Sequence, residues 1–331
     1  MISACDILHL PCTPDLIQGG IAYALRSLPY NFQRGGSSIY ERLRHAAAEG
    51  AVELAFRRAL SEQNIPFEVK AALPFHGHER YDVLLGGRRC EIKSFLLSQN
   101  QQVSRIRHTP DLLLQAPALV DSDQHAAEGQ FPRDLYLFAF LLGEVTAPRA
   151  DQQKVIEIKS PHFFIHVMPE DWNRPLQWNS LGKLALKSDS DEVQTIELGG
   201  QDEGHTMRSY TVELPPRRRV EVANGFFSLA YAHRKGRPRG RIGIHSPFRK
   251  DTYLIGPQDW DDIWTHGKDI LLAGYITREE FRRCASFIPT GSRVFQYRET
   301  QVKNLAVPVS ELRPLSELFG RVKISTAATT A

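Results

Sequence analysis

Asp82 is followed nine residues later by Glu91 and then by Lys93, all within the stretch RYDVLLGGRRCEIKSF. Two carboxylates and an ammonium brought together can carry out phosphodiester hydrolysis. Asp82 and Glu91 offer hard oxygen ligands to Mg²⁺, with the peptide carbonyl of Ile92 as a further one. The metal lowers the pKa of a bound water, and Lys93 orients that water and stabilises negative charge on the phosphate. The bland reading of the same three residues is a cross-strand charge cluster on a solvated sheet face.

The elements around them are the ones that could hold them together. Two apolar runs flank Gly86-Gly87, a pair suited to the positive φ angles of a two-residue turn, so the stretch reads as an antiparallel hairpin. Side chains alternate along a strand, which puts Glu91 and Lys93 on one face, Ile92 on the opposite, core side, and Asp82 beside them across the turn. A helix is expected from Ser37, a plausible N-cap, to near Asn64, because apolar residues recur there at spacings of three and four. Helical stretches broken at Pro110 follow the hairpin, and then LYLFAFLLG, residues 135–143, reads as a strand buried on both faces. The order is helix, hairpin, helix, strand.

With RYD at 80–82, the turn VLLGGRRC and EIKS at 91–94, this order resembles the PD-(D/E)XK, restriction-endonuclease-like nuclease superfamily. The resemblance covers roughly residues 37–143, and departs from the nominal motif in having Tyr81 where the name implies proline. It implies an α/β fold, with a mixed central sheet flanked by helices, and a metal-dependent deoxyribonuclease. Mg²⁺ is the implied cofactor, with Mn²⁺ able to substitute. The implied catalytic residues are Asp82, Glu91, Lys93 and Glu53, and the implied metal site is Asp82, Glu91, Glu53 and Ile92. Glu49, one turn before Glu53, is the reserve candidate, and Gln99, Gln101 and Gln102 are candidates to line the cleft. Duplex DNA is the expected substrate, in restriction, phage defence or mobile-element processing. Cutting both strands with one site per chain calls for a homodimer, and further protein subunits are compatible with the fold. The competing class is a nucleic-acid-binding or scaffold protein that keeps the nuclease fold without turnover.

The expected organisation is a lead-in over 1–36, a nuclease core over 37–150 and a β-rich region over 151–331. In the last region VIEIKSPHFFIHVMPEDW parallels RIGIHSPFRKDTYLIGPQDW, each preceded by an apolar strand, which suggests an internal duplication. The first copy also repeats the EIKS string with Glu157 and Lys159, and Asp134 and Asp151 are its upstream acids; this is a rival site without a hairpin. Trp172 and Trp260 stand at matching positions and suit core packing better than base stacking. Two basic runs could contact phosphates: Arg217, Arg218 and Arg219, and then Arg234, Lys235, Arg237, Arg239 and Arg241. Runs of this kind are also commonly solvated loop faces. A role in positioning DNA or in dimerisation is the expectation for this region.

Composition narrows the rest. At 331 residues with 42% hydrophobic and 24% charged residues, the chain can bury a substantial core. A net charge of +3 names no partner by itself. Cys5, Cys12, Cys90 and Cys284 form no CxxC pair, which argues against structural zinc and suits a reducing cytoplasm. The N-terminus lacks the basic and apolar segments of a secretory signal, and the longest apolar run is too short to cross a bilayer, so no membrane association is expected. Motifs for a nucleotide-binding loop, a serine elbow and an HExxH zinc helix are absent. His76 and His78, just before the hairpin, are the close histidine pair near the proposed site.

Overall fold

The computed structural model describes residues 2–31, 39–69, 82–126, 131–145, 163–223, 225–236, 239–262 and 265–330. Strand β1 (Leu8–Pro11) leads to α1 (Pro14–Asn31), which starts on a proline whose fixed φ already suits a helix. The long helix expected from Ser37 is α2 (Ile39–Glu62). Its buried residues Leu43, Ala47, Ala51 and Ala55, with Val52, Phe56 and Leu60, follow the spacing of one packed flank. The helix stops where Asn64 takes a φ of 54°. There the Ile65 amide bonds the Leu60 carbonyl at 2.9 Å and the Asn64 amide bonds that of Ser61 at 3.1 Å, so carbonyls of the last turn are satisfied.

Strands β2 (Phe67–Glu68), β3 (Val83–Leu85) and β4 (Arg88–Leu97) form an antiparallel meander. The β3–β4 turn is Gly86-Gly87, at φ 53° and 73°, as the paired glycines predict. Helix α3 (Asn100–His108) and a 3-10 turn at Pro110–Gln115 follow, then β5 (Pro117–Asp121), α4 (Ser122–Ala126) and β6 (Leu135–Val145). The chain continues through β7 (Phe163–Val167), α5 (Glu170–Asn173), β8 (Leu184–Ser188), β9 (Gln194–Gln201), β10 (Met207–Leu214) and β11 (Arg219–Val222). Next come β12 (Ser228–Lys235), β13 (Ile242–His245), β14 (Tyr253–Ile255) and β15 (Asp261–Asp262). It ends with β16 (Thr265–Thr277), α6 (Arg278–Cys284), β17 (Ser286–Ile288), β18 (Asn304–Pro308) and α7 (Leu315–Thr330).

Two compact units result, one of Met1–Ile21, His45–Val145 and Thr265–Ala331, the other of Ala22–Arg44 and Thr146–Trp264. The first is mixed α/β. Its main sheet has the order β1-β16-β6-β4-β3-β2, with β6 parallel to β4 and the other neighbours antiparallel. Strand β6 is central, between β4 and β16, and Leu135 to Leu142 are each at most 2% exposed, as an apolar run covered on both faces requires. A smaller antiparallel sheet, β17-β18-β5, shares a core with one face of the main sheet.

The second unit is built from two antiparallel sheets, β10-β9-β12-β7-β15 and β11-β8-β13-β14, around a core that includes Leu184, Ile196, Leu198, Leu229 and Ile244. Three expectations change here. Residues 1–36 are more than a lead-in, because β1 is an edge strand of the main sheet and α1 supplies residues to both units. The boundary drawn at 150 does not separate the units, because β16 returns to pair with β6 along its length. Where both similar strings lie in described residues, they do not occupy equivalent places. β6 lies in the first unit and β12 in the second, while β7 is inside one sheet and β14 at the edge of another. Trp172 and Trp260 are both buried in one shared core, which suits local turn chemistry that seats a tryptophan, and Glu157 to Lys159 of the first string lie outside the described residues.

Candidate active site

Asp82 sits one residue before β3, where the hairpin ladder ends. Its amide donates to the Cys90 carbonyl at 3.0 Å, and its carboxylate accepts the Ile92 amide at 2.6 Å. Ile92 lies two residues beyond Cys90 and therefore presents its peptide group to the same edge, so the Asp82 side chain takes the place of a strand partner. From α2, the Arg57 guanidinium donates to the Asp82 carbonyl oxygen at 3.3 Å and pairs with Glu53 one turn before it on the helix. Glu91 pairs with Lys93 on β4, and Lys93 Nζ also donates to Gln124 Oε1 of α4 at 2.8 Å.

The electrostatics bind these groups into one site. Burial pushes the Asp82 carboxyl up to about 7; the Glu53 charge adds to this, the Ile92 amide opposes it, and Glu91 and Lys93 act in opposite senses. Burial also raises Glu53, against the pull of Arg57. Cys90 is buried and its thiol is pushed up by burial and by Asp82 and Glu91. A carboxyl that keeps its proton to about pH 7 is one taken out of water without a full countercharge. As the side chains stand, Glu53 turns to Arg57 and Glu91 to Lys93, and among the described residues no three His, Cys, Asp or Glu side chains converge as a ready metal cage.

The face that carries the charged pair is also a core face. Glu91 and Lys93 share their face with Phe95 and Leu97, which are buried in the core beside Phe138 and Phe140, whereas Ile92 is only half-buried. Both faces of β4 are covered, since Cys90 and Leu96 on the Ile92 side are buried as well, and the charged pair lies at the rim of the face that carries Phe95 and Leu97, opposite Tyr136 and Phe138 of β6.

No family model matches the chain. Searches of curated proteins and of solved structures return no match either.

Other sequence candidates fall elsewhere. Glu49 acts on Tyr297, whose hydroxyl is pushed upward by burial and by that charge. Gln102 donates to the Phe295 carbonyl at 2.8 Å, and Gln99 and Gln101 are exposed. The Asp134 carboxylate accepts the Phe131 amide at 2.7 Å. Glu157, Lys159, Asp151, His76, His78 and Arg237 lie outside the described residues. The basic runs converge on the acidic loop between β8 and β9. Arg217 pairs with Asp191 at 2.8 Å, Arg239 with Glu192, and Arg241 with Asp189 at 2.9 Å. Arg219 lies 4.0 Å from Glu221, and Arg234 is half-buried and bonded to Gln194. Arg218 and Lys235 are exposed. Arg57, Gln124, His125, Tyr136 and Arg278 also stand at or beside the site. Of these, Arg57 alone had a local signal, its spacing of four from Glu53; the others arrive from distant strands and helices.

Proposed function

We propose that this chain is a metal-dependent nuclease that hydrolyses DNA phosphodiester bonds at Asp82, Glu91 and Lys93, with Glu53 beside them. The observation that carries the reading is Asp82: a carboxyl locked to the Ile92 amide, raised to about 7 by burial and by Glu53, and acted on by Glu91 and Lys93. The strand order β2-β3-β4-β6, with a helix before the meander and β6 parallel to β4, supports it as well. Among the described residues no helix is long and apolar enough to cross a membrane.

The donor set fits a hard divalent cation. Asp82, Glu91 and Glu53 supply carboxylate oxygens, and the Ile92 carbonyl leaves the strand on the Asp82 side. Mg²⁺ or Mn²⁺ bound there supplies charge neutralisation on the phosphate and a more acidic water. The chain supplies the rest. Asp82 is held in one orientation by the Ile92 amide. Lys93, poised between Glu91 and Gln124, places its ammonium where a phosphate oxygen gains charge. Arg57 pairs with Glu53 along α2, and Glu53 would have to leave that pair to help hold a cation. Two chains acting on opposite strands would cut a duplex, in restriction, phage defence or mobile-element processing.

The test is cleavage of supercoiled plasmid by the purified full chain with Mg²⁺ or Mn²⁺, beside EDTA and Lys93→Ala. Metal-dependent nicking or linearisation is expected, with a loss of at least about a hundredfold in the variant. Cleavage that survives in Lys93→Ala overturns this site. DNA binding by wild type and variant alike, with no cleavage by either, favours the non-catalytic reading.

A further inference from the structure

Beside Lys93 a second group of polar side chains has no part in the chemistry described so far. Tyr136 lies opposite Glu91 on β6, and its ring is approached by Lys93 Nζ at 5.7 Å and by the Arg278 guanidinium carbon at 5.9 Å. The His125 Nδ1 and the Tyr136 hydroxyl are 3.1 Å apart. Phe281 backs both rings, at 5.6 Å from His125 and edge-on at 5.4 Å from Tyr136. Arg278, first residue of α6, is held through its amide on the Asp134 carbonyl at 2.8 Å. Its side chain is half-buried and hydrogen-bonds the Tyr136 hydroxyl, while Nη1 is buried with no hydrogen-bond partner.

A buried guanidinium nitrogen without an acceptor costs free energy unless something supplies one. The charge around it points the same way. Arg278, Arg282 and Lys93 all disfavour a proton on His125, whose pKa is lowered first by burial and then by these cations. The carboxylates near Tyr136 are Glu91, which is paired with Lys93, and Asp134, which accepts the Phe131 amide. Three cations thus face His125 with Lys93 alone among them engaged by a carboxylate of this group. An oxyanion would give the free nitrogen of Arg278 an acceptor.

We propose that Arg278 and His125 form a pocket, walled by the buried Tyr136 ring, that holds one phosphodiester of the substrate strand adjacent to the one being cut at Lys93. The inference rests on the nuclease reading for its substrate. A strand that advances about 3.4 Å per nucleotide can lay one phosphate at Lys93 and a neighbour at Arg278. The guanidinium fork suits a phosphate oxyanion, and the imidazole adds a directional hydrogen bond in front of the ring wall.

The test is fluorescence anisotropy of a labelled duplex in EDTA, where binding is read without turnover, across a range of salt. Arg278→Gln should weaken binding about tenfold and lower the salt slope by about 0.9, the loss of one phosphate contact. Arg278→Lys, which keeps the charge, should keep the slope. In wild type, a duplex with a single neutral methylphosphonate, scanned position by position, should show one position next to the cut with the same penalty. That penalty should vanish in Arg278→Gln. An unchanged slope in Arg278→Gln, a penalty that persists in it, or no duplex binding by wild type overturns the pocket. If wild type cleaves plasmid and the slope does not move, the nuclease reading stands and the pocket alone fails. If the slope falls in a protein that never cleaves, the nuclease reading fails and the substrate assignment fails with it.

Discussion

Asp82 carries its proton in the folded chain up to about pH 7, against an ordinary value of 3.8. Between about pH 4 and pH 7 the unfolded chain has released a proton that the folded chain retains, so this residue makes stability fall as pH rises through that window. The contribution is on the order of 4 kcal/mol at most. Thermal melts in EDTA should show a shallower decline for Asp82→Asn than for wild type, and a higher Tm for the variant at about pH 7.5. Identical pH profiles would remove the buried, proton-carrying Asp82 from the account. A cation at the site should replace that proton, so Mg²⁺ should raise the wild-type Tm near neutral pH and leave that of Asp82→Asn unmoved.

At the scale of elements, α2 places Glu53 and Arg57 because α1 lets it come close. A Cβ at Gly20 would lie 2.0 Å from the Ala47 carbonyl oxygen, so the two helix backbones touch through a hydrogen atom. Gly20→Val should cost about 3 kcal/mol or more in a denaturant titration, because backbone must move to admit it. Gly87 offers the contrast. Its φ is 73° and a Cβ there would meet nothing within 4 Å, so Gly87→Ala should cost only about 1 kcal/mol, the strain of the turn. Equal losses at the two positions would contradict this account of the α1–α2 contact.

At the scale of the whole molecule, the chain visits the first unit three times, and β6 depends on the last visit. Without β16 one edge of an almost wholly apolar strand is open, and that is an aggregation template. A fragment of residues 37–150 should fail to give a soluble, cooperatively melting protein, as circular dichroism and size-exclusion chromatography would show; a well-folded fragment would restore the linear boundary. The basic runs make a second prediction. Exposed pairs such as Arg217–Asp191 and Arg241–Asp189 contribute at most about 1 kcal/mol each and are readily exchanged. Neutralising Asp189, Asp191 and Glu192 to Asn, Asn and Gln should therefore leave stability nearly unchanged and raise duplex affinity several-fold with a steeper salt slope. Unaltered affinity would mean that these arginines serve the loop alone.

What could be read from the sequence was local and periodic. The two-glycine turn, the helix stopping at Asn64, the doubly buried 135–142 strand and the burial of Trp172 and Trp260 each follow from side-chain spacing or backbone conformation within a few residues. The grouping of Asp82, Glu91 and Lys93 was legible for the same reason, since a tight turn is itself a local contact. Tertiary structure alone decided the rest. Strand alternation puts Glu91 opposite Ile92, but that both faces of β4 are covered, the Glu91 face by Phe138 and Phe140 of β6 among others, depends on what packs there. The return of β16, the arrival of Arg278 and His125 beside Lys93, and the pairing of the basic runs with the β8–β9 loop all join residues far apart in the chain. Contacts of that kind are set by the packing of whole elements, and no run of neighbouring residues encodes them.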